Sequence, residues 1–165
     1  MLMRRLAALA LAGVLALVLL AGCGQKPAEQ GSSSSQSAQA EAFYSFTDDS
    51  GREVSLESQP QRVVALMGSY AETWMLAGGV PVGVTEDVIS ERGLTVGEET
   101  KVIGTVKGPS TEEILNLDPD FILLSTDVAE HVELDGMLTQ AGIPHAYFKV
   151  ENFEDYLNML KICTD

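Results

Sequence analysis

The chain has 165 residues with 10 basic and 24 acidic side chains, which gives a formal net charge of −14 at pH 7. Binding nucleic acid through its phosphates requires clustered Lys and Arg, so this composition excludes that class of function. Two cysteines are too few for a disulfide framework, and the two histidines, His131 and His145, do not stand in metal-ligand spacing. We therefore expect no cofactor and no bare metal ion as ligand.

The first 22 residues have the order of a secretory signal peptide, in which Arg4 and Arg5 precede an apolar run from Leu6 to Leu19. This run of 14 residues is shorter than a membrane-spanning helix, which needs about 20. A spanning helix and an uncleaved signal are the alternatives. The next residues, Leu20-Ala21-Gly22-Cys23, resemble the lipobox of bacterial lipoproteins. The resemblance implies cleavage before Cys23, lipidation of its thiol, and an extracytoplasmic chain that is anchored to the bacterial cell membrane by lipid.

Residues 23–42 are predicted to form a flexible tether between this anchor and a folded domain. Gln25 to Glu41 contains no large apolar side chain that could offset the entropy of ordering the segment.

After the tether, short apolar runs alternate with helical segments. Phe43–Glu57 predicts a hairpin whose turn is Asp48-Asp49-Ser50-Gly51. Five further strands are predicted at Arg62–Leu66, Pro81–Val84, Lys101–Ile103, Phe121–Leu124 and His145–Val150. Helices are predicted at Ser69–Ala77, Thr111–Asn116 and Glu130–Ala141, and an acidic surface loop at Val88–Thr100. The alternation of helices with strands that are apolar on both faces predicts an α/β lobe with a mostly parallel sheet.

The helix ends carry recognisable signals. Ser69 and Glu72 fit a capping box, and Ser110 or Thr111 is placed to cap the next helix. A final helix begins at Asn152, with a predicted apolar face of Phe153, Tyr156, Leu157, Leu160 and Cys163. Because that face is unfinished and no C-cap follows it, we expect a fragment of a larger protein. A helix that frays at a natural terminus is the alternative.

Several stretches of the sequence carry a family resemblance. They are Phe46-Thr47-Asp48, Gly51 to Val54, Pro60 to Leu66, Tyr70 to Gly79, Val82 to Thr85, Val102-Ile103-Gly104, Ser110 to Ile114, Leu117 to Leu123, and Leu138 to Pro144. Their order behind a lipobox resembles the N-terminal lobe of the solute-binding proteins of siderophore, haem and vitamin B12 ABC importers. The resemblance implies two Rossmann-like lobes with ligand between them. Residues 43–151 would form the N-terminal lobe and residues 152–165 the start of a long inter-lobe helix, with the second lobe missing from this sequence.

Ligands of open α/β sheets bind outside the carboxyl ends of the strands. The polar residues that follow the predicted strands are therefore the candidate ligand-binding residues: Ser69, Tyr70, Thr85, Glu86, Lys107, Ser125 and Thr126. Tyr70 is suited to stacking on a planar ligand and Lys107 to pairing with an anionic chelate. The alternative for each is a solvated loop residue.

The resemblance also assigns a role to Glu112. In this family the glutamate of that helix-start motif projects toward a basic pocket on the permease, and the neighbouring Glu113 is the second candidate for the contact. A carboxylate in the first turn of a helix is also favoured by the helix dipole, by about 0.3–1 kcal/mol, which is an alternative reason for both residues.

No enzyme signature of the GxSxG, GxxxxGK[ST] or GxGxxG kind accompanies a suitable strand, so we expect a binding protein and not an enzyme. His131 is predicted to be solvated on a charged helix, and His145 to be structural. The sequence predicts a lipid-anchored protein that captures an iron-siderophore, haem or cobalamin-type ligand and delivers it to an ABC importer permease. A sensor lipoprotein that presents solute to a signalling receptor is the alternative.

Overall fold

A computed structural model describes residues 42–165 of the chain. The predicted signal peptide (residues 1–22), the lipidation site Cys23 and the predicted tether as far as residue 41 lie outside the described residues. The strands are β1 (Tyr44–Thr47), β2 (Glu53–Leu56), β3 (Val63–Ala65), β4 (Gly83–Val84), β5 (Lys101–Val102), β6 (Gly104–Thr105), β7 (Gly108–Pro109), β8 (Phe121–Ser125) and β9 (His145–Phe148). The helices are α1 (Gly68–Leu76), α2 (Asp87–Ser90), α3 (Thr111–Asn116), α4 (Ala129–Glu133), α5 (Asp135–Gln140) and α6 (Phe153–Thr164).

Five of the strands form one parallel sheet in the order β5-β4-β3-β8-β9. Every residue of the central strands β3 and β8 is buried. A strand covered on both faces needs apolar side chains at successive positions, which explains why these segments are continuous apolar runs. The predicted fold class, a mostly parallel sheet flanked by helices with an N-terminal hairpin, is confirmed.

The core lies on both sides of this sheet. On one side Tyr70 and Trp74 of α1 and Met159 of α6 pack against β3 and β8, and on the other side Ile114 of α3 and Leu138 of α5 do so. Helices on both faces are what the alternation of strands and helices requires. Within residues 42–165, no helix combines the length and the apolar character that crossing a bilayer requires.

The helix starts confirm the predicted cap at Ser110 and the predicted start at Asn152, and they overturn one predicted capping box. The Ser110 hydroxyl accepts a hydrogen bond from the Glu113 amide (3.3 Å), and Asn152 forms a capping box with Asp155. The capping box predicted for Ser69 and Glu72 is wrong, because α1 begins one residue earlier and no side chain of its own caps it. Its first amide, Gly68 N, instead donates to the Asp87 carboxylate at 2.7 Å.

Three further features differ from the sequence prediction, two of them element boundaries. The helix predicted at Glu130–Ala141 is divided into α4 and α5, because the Leu134 amide bonds back to the His131 carbonyl in a tighter turn. The loop predicted at Val88–Thr100 overlaps the short helix α2.

The third difference concerns the buried face of α6. Phe153 and Leu157 were predicted to be on the apolar face, yet they are 70% and 45% exposed. Met159 is buried, and Ile162 and Cys163 pack beside it, because this side of α6 faces α1. Burial raises the pKa of the Cys163 thiol to about 12, in keeping with its predicted place on the apolar face of this helix.

The hairpin of β1 and β2 forms as predicted, and its turn covers the outer edge of the sheet. The Asp49 amide donates to the Tyr147 carbonyl (2.9 Å), and the Asp48 carboxylate accepts from the Tyr147 amide (3.1 Å). Lys149 N donates to the Asp49 carboxylate (2.8 Å), and the Arg52 guanidinium donates to the His145 carbonyl (3.1 Å). The free backbone groups of β9 are thereby paired, which protects an edge strand from pairing with another chain.

Candidate ligand-binding site

The loops after β3, β4, β5 and β8 leave the same end of the sheet, because these strands are parallel. We call this end the carboxyl edge and define it as residues 68–70, 85–87, 105–107 and 125–127. It contains all seven residues that the sequence predicts for ligand binding. The structure separates these residues into a buried group and an accessible group.

Thr85 belongs to the buried group and takes part in a hydrogen-bond unit centred on Asp87. The Thr85 side chain is fully buried and its hydroxyl donates to one oxygen of Asp87 at 2.6 Å. The second oxygen of the carboxylate accepts the Gly68 amide. A Cβ atom at Gly68 would lie 2.7 Å from that oxygen, so only glycine fits here. Thr85 therefore holds the loop after β4 to the start of α1 and is not available to a ligand.

Tyr70 is buried as well, which overturns the prediction that it stacks on a planar ligand. Only 3% of its surface is exposed, its hydroxyl donates to the Phe148 carbonyl at 2.9 Å, and its ring contacts the edge of the Phe148 ring. Burial raises the pKa of the Tyr70 hydroxyl to about 12, so the phenol stays protonated and continues to donate.

Ser125 is the third buried member, and it contacts His131. The Ser125 hydroxyl accepts from the Asp127 amide (3.2 Å), while its own amide donates to Nδ1 of His131 (3.1 Å). His131 is completely buried, so the prediction of a solvated histidine is wrong. Nε2 of the same ring lies 2.9 Å from the Val106 carbonyl. Burial lowers the pKa of the imidazole, which keeps the ring neutral near pH 7.

Four of the predicted residues are accessible at the carboxyl edge. Glu86 and Lys107 are exposed, and Ser69 and Thr126 are half-buried. Among residues 42–165 the Thr126 hydroxyl oxygen has no hydrogen-bond partner although it is shielded from solvent. An unpaired buried hydroxyl is costly, so this oxygen is suited to a polar ligand group or a water molecule.

Two cavities adjoin these accessible residues. Ser69 lines a groove of about 310 Å³ between α1 and α6, together with Glu72, Arg92 and Tyr156. Thr126 lines a cavity of about 290 Å³ beside the hairpin turn, together with Arg52, Tyr147 and other residues. Both are open enough to admit polar groups of a bound molecule.

Most of the cations near the carboxyl edge are already paired. Arg92 forms an ion pair with Glu72 (3.3 Å), and Lys149 forms one with Glu151 (3.1 Å). Within residues 42–165 no ion pair involves Lys107, so its exposed ammonium group is the cation at this edge that is free to meet an anionic ligand.

Glu112 and Glu113 lie in the first turn of α3 and both are exposed. The Ser110 hydroxyl already satisfies the Glu113 amide. The carboxylates are therefore free of a capping role and point into solvent, as a docking contact requires.

The part of the chain that the structure describes contains no group of three or more metal-ligating side chains. His145, predicted to be structural, lies in β9 with its Nε2 atom 3.1 Å from both the Arg52 guanidinium and the Asp135 carboxylate. Asp87 and His131 were missed as organising residues. For Asp87 a signal was present, since an aspartate just after a strand end often accepts hydrogen bonds from nearby loop groups. For His131 there was none, because its partners are distant loop atoms.

Comparison with known proteins gives the same family as the sequence motifs. The chain is 32% identical over 147 residues to the uncharacterized ABC transporter substrate-binding lipoprotein YvrC of Bacillus subtilis. The resemblance to ABC-importer substrate-binding lipoproteins is confirmed. The match covers 86% of this chain and 44% of YvrC, so the chain spans less than half the length of this relative. No protein-family model matches the chain.

Solved structures of siderophore- and haem-binding proteins share the fold of the described lobe. Staphylococcus aureus SirA, complexed with staphyloferrin B, superposes with a TM-score of 0.58 at 24% identity, over 73% of this chain and 42% of SirA. The iron-uptake substrate-binding protein PiuA of Streptococcus pneumoniae gives a TM-score of 0.56 at 20% identity, over 76% of this chain and 47% of PiuA. The haem-binding protein HmuT gives 0.58 at 22% identity, over 73% and 40% of the two chains. The described α/β domain thus has the fold of one lobe of these proteins.

Proposed function

We propose that this chain supplies the N-terminal lobe of an extracytoplasmic, lipid-anchored solute-binding protein, which captures a ligand and delivers it to an ABC importer permease. The observation that carries the proposal is the carboxyl edge, where accessible polar side chains stand on loops fixed by buried hydrogen bonds. Such preorganisation lowers the entropy that a ligand-binding site loses on binding. The similarity to YvrC supports the same role.

The ligand class proposed is a metal chelate or corrinoid: an iron-siderophore, haem or a cobalamin. Such ligands bring their own metal coordination, so the protein has to supply polar groups and shape and not a metal cage. At this lobe we assign that task to the accessible residues Ser69, Glu86, Lys107 and Thr126. The buried residues Tyr70, Thr85 and Ser125 would act only through the loops that they hold.

We further propose that residues 43–151 form the ligand-binding lobe and that α6 begins the connection to a second lobe. Ligand between two lobes favours their closure only through its different affinity for the open and closed forms. A chain ending at Asp165 would then contain half of the cleft, and it should bind ligand much more weakly than the complete two-lobe protein.

Ligand capture is tested by calorimetry on the full-length protein with four probes: a ferric trihydroxamate, a ferric triscatecholate, haemin and cyanocobalamin. We expect one of the four to bind at least a hundredfold more tightly than the others. Lys107→Ala should lower the affinity for an anionic probe severalfold. Lys101→Ala is the control and should not, because Lys101 is an exposed lysine in β5 that lies outside the carboxyl edge. Failure of all four probes to bind would overturn the proposed ligand class.

Membrane anchorage is tested separately at Cys23. If its thiol is lipidated, the mature wild-type protein should lie in the membrane fraction and carry the mass of the acyl chains, and Cys23→Ser should lack that mass. A membrane-bound wild-type protein of unprocessed mass without acyl chains would instead indicate an uncleaved signal.

A further inference from the structure

His131 connects three segments of the lobe from a fully buried position. Its ring bonds the Ser125 amide at the end of β8 and the Val106 carbonyl between β6 and β7, and its own carbonyl accepts from the Tyr147 hydroxyl (3.1 Å). We propose that His131 is a positioning residue of the carboxyl edge, whose neutral ring holds the turn that carries Lys107 against the loop that carries Thr126. The expected effect on ligand binding rests on the proposed function. The expected effect on the two loops rests only on the contacts of His131.

The two hydrogen bonds determine the state of the ring. A backbone amide only donates, so Nδ1 must be the unprotonated acceptor for Ser125 N. A carbonyl oxygen only accepts, so Nε2 must carry the proton that is shared with Val106 O. Both bonds are made together only by the neutral ring with its proton on Nε2. A second proton on Nδ1 would leave the buried Ser125 amide without its acceptor.

The turn that carries Lys107 has few other attachments. Its two strands, β6 and β7, pair over only two residues each. At their base the Glu86 amide donates a hydrogen bond to the Gly104 carbonyl (2.9 Å). At the tip, the carbonyl of Val106 is bonded to His131. Loss of this bond should therefore free the tip while the base stays in place, and Lys107 would no longer have a fixed position.

Protonation of the ring acts on the other contact, because the charged ring still donates from Nε2 to the Val106 carbonyl but can no longer accept from the Ser125 amide. Burial opposes the charged ring, whereas the hydrogen bond to Val106 and the nearby carboxylates of Glu130 on α4 and Asp87 on α2 favour it. Tyr147 on β9 faces the His131 backbone and is itself kept protonated by burial, so it adds no charge. The Ser125 amide should accordingly be held by the ring at pH 7 and lose this acceptor as the pH falls.

Hydrogen–deuterium exchange on the full-length protein without ligand tests this directly, with His131→Leu and His131→Gln compared to wild type. Leu fills much of the space without hydrogen bonds, whereas the Gln amide can both accept and donate. We expect at least tenfold faster exchange at residues 105–108 in His131→Leu and partial recovery in His131→Gln. The β1–β2 hairpin should exchange as in wild type.

A pH profile separates positioning from a general packing effect. After correction for intrinsic rates, exchange of the Ser125 amide should rise from pH 7 to pH 5 in wild type and stay flat in His131→Gln. Equal profiles in the two proteins, or no change at residues 105–108 in His131→Leu, would overturn the proposal. If His131→Leu does not fold, the profiles of wild type and His131→Gln still decide.

The effect of the His131 variants on ligand affinity is measured with whichever of the four probes binds the wild-type protein. Positioning predicts at least tenfold weaker binding by His131→Leu and a smaller loss in His131→Gln. Unchanged affinity together with a mobile turn would show that Lys107 does not contact the ligand. Absence of probe binding by wild type would reject the proposed function and leave the exchange result standing.

Discussion

Two hydrogen-bond networks tie loops to the sheet, and they are built differently. At the outer edge, one carboxylate, Asp48, accepts from the Ser50 amide and hydroxyl, from the Arg52 amide and side chain, and from the Tyr147 amide. At the carboxyl edge the hydrogen bonds are divided between two side chains, since each oxygen of Asp87 and each ring nitrogen of His131 has a single partner. Concentrated bonding at Asp48 stabilises the fold, whereas divided bonding at the carboxyl edge sets the positions of separate loops.

This difference predicts the largest loss of stability at Asp48. Asp48→Ala leaves the buried Tyr147 amide and the part-buried amides of Ser50 and Arg52 without an acceptor, and the Arg52 side chain without its partner, so the free energy of unfolding should fall by about 3–5 kcal/mol in urea titrations. The matched control is Asp49→Ala. Asp49 is exposed and its carboxylate accepts the Lys149 amide, so its loss should cost about 1 kcal/mol. Equal losses at the two positions would contradict the contrast between the networks.

An intermediate loss is expected for Gly68→Ala. The new methyl group would meet the Asp87 carboxylate at 2.7 Å and displace the loop after β4, at about 1–3 kcal/mol. Gly136→Ala in α5 is the control, because nothing lies within 4 Å of the added Cβ. There the smaller entropy of the unfolded chain should leave stability unchanged or raised by up to about 1 kcal/mol. An unchanged free energy of unfolding in Gly68→Ala would mean that the contact with Asp87 is not tight.

The two networks should also lose their contributions at different pH. The folded-state pKa of His131 is lowered from 6.5 by burial, so the unfolded chain binds the proton first. The stabilisation is complete above pH 6.5 and declines below it. For Asp48, burial alone would raise the pKa, but the hydrogen bonds from Ser50, Arg52 and Tyr147 outweigh it and lower the pKa from 3.8. Its contribution should persist down to pH 3.8 and decline only as the pH falls further.

Thermal unfolding measured across this pH range checks both declines in stability, the one from His131 and the one from Asp48. His131→Gln should remove the decline just below pH 6.5 and leave the more acidic step in place. A single step below pH 4 in wild type would show that the His131 ring is not held in its neutral form.

The smallest effect on the fold is expected for Glu112→Ala, since the carboxylate is exposed and caps nothing. If Glu112 docks on the permease, this variant should transport severalfold less ligand with unchanged ligand affinity. Glu154→Ala is the matched control, because Glu154 is also an exposed carboxylate at the second position of a helix, α6. Loss of ligand affinity together with transport would point to misfolding, and equal transport by the two variants would remove the docking role.

The sequence predicted what depends on neighbouring residues. The apolar runs of β3 and β8, the hairpin turn at Asp48 and the cap at Ser110 all follow from local patterns, and each is found where it was expected. Partners that are distant in the chain were not predictable. Asp48 and the Tyr147 amide are 99 residues apart, and Gly68 and Asp87, whose carboxylate is the true cap of α1, are 19 residues apart. For α6 the helical period allowed two overlapping apolar faces, and the packing against α1 selected the one that contains Met159.

The same limit explains the candidate site. Strand ends are readable from a sequence, so the carboxyl edge was located correctly. Which polar side chain at a strand end faces outward depends on the loop beneath it, so Tyr70, Thr85 and Ser125 were included although their groups are bonded internally.

The central claim, that the carboxyl edge receives the ligand, is tested most directly by mapping amide chemical shifts of the full-length protein during titration. Gallium(III) complexes of a trihydroxamate and a triscatecholate replace the paramagnetic iron chelates, with zinc protoporphyrin for haem and cyanocobalamin as the fourth ligand. We predict that the amides of Ser69, Glu86, Lys107 and Thr126 shift on binding, while those of Arg62 and Asp120 at the opposite end of the sheet do not. Shifts centred on the hairpin or on that opposite end, with the carboxyl edge unchanged, would contradict the account.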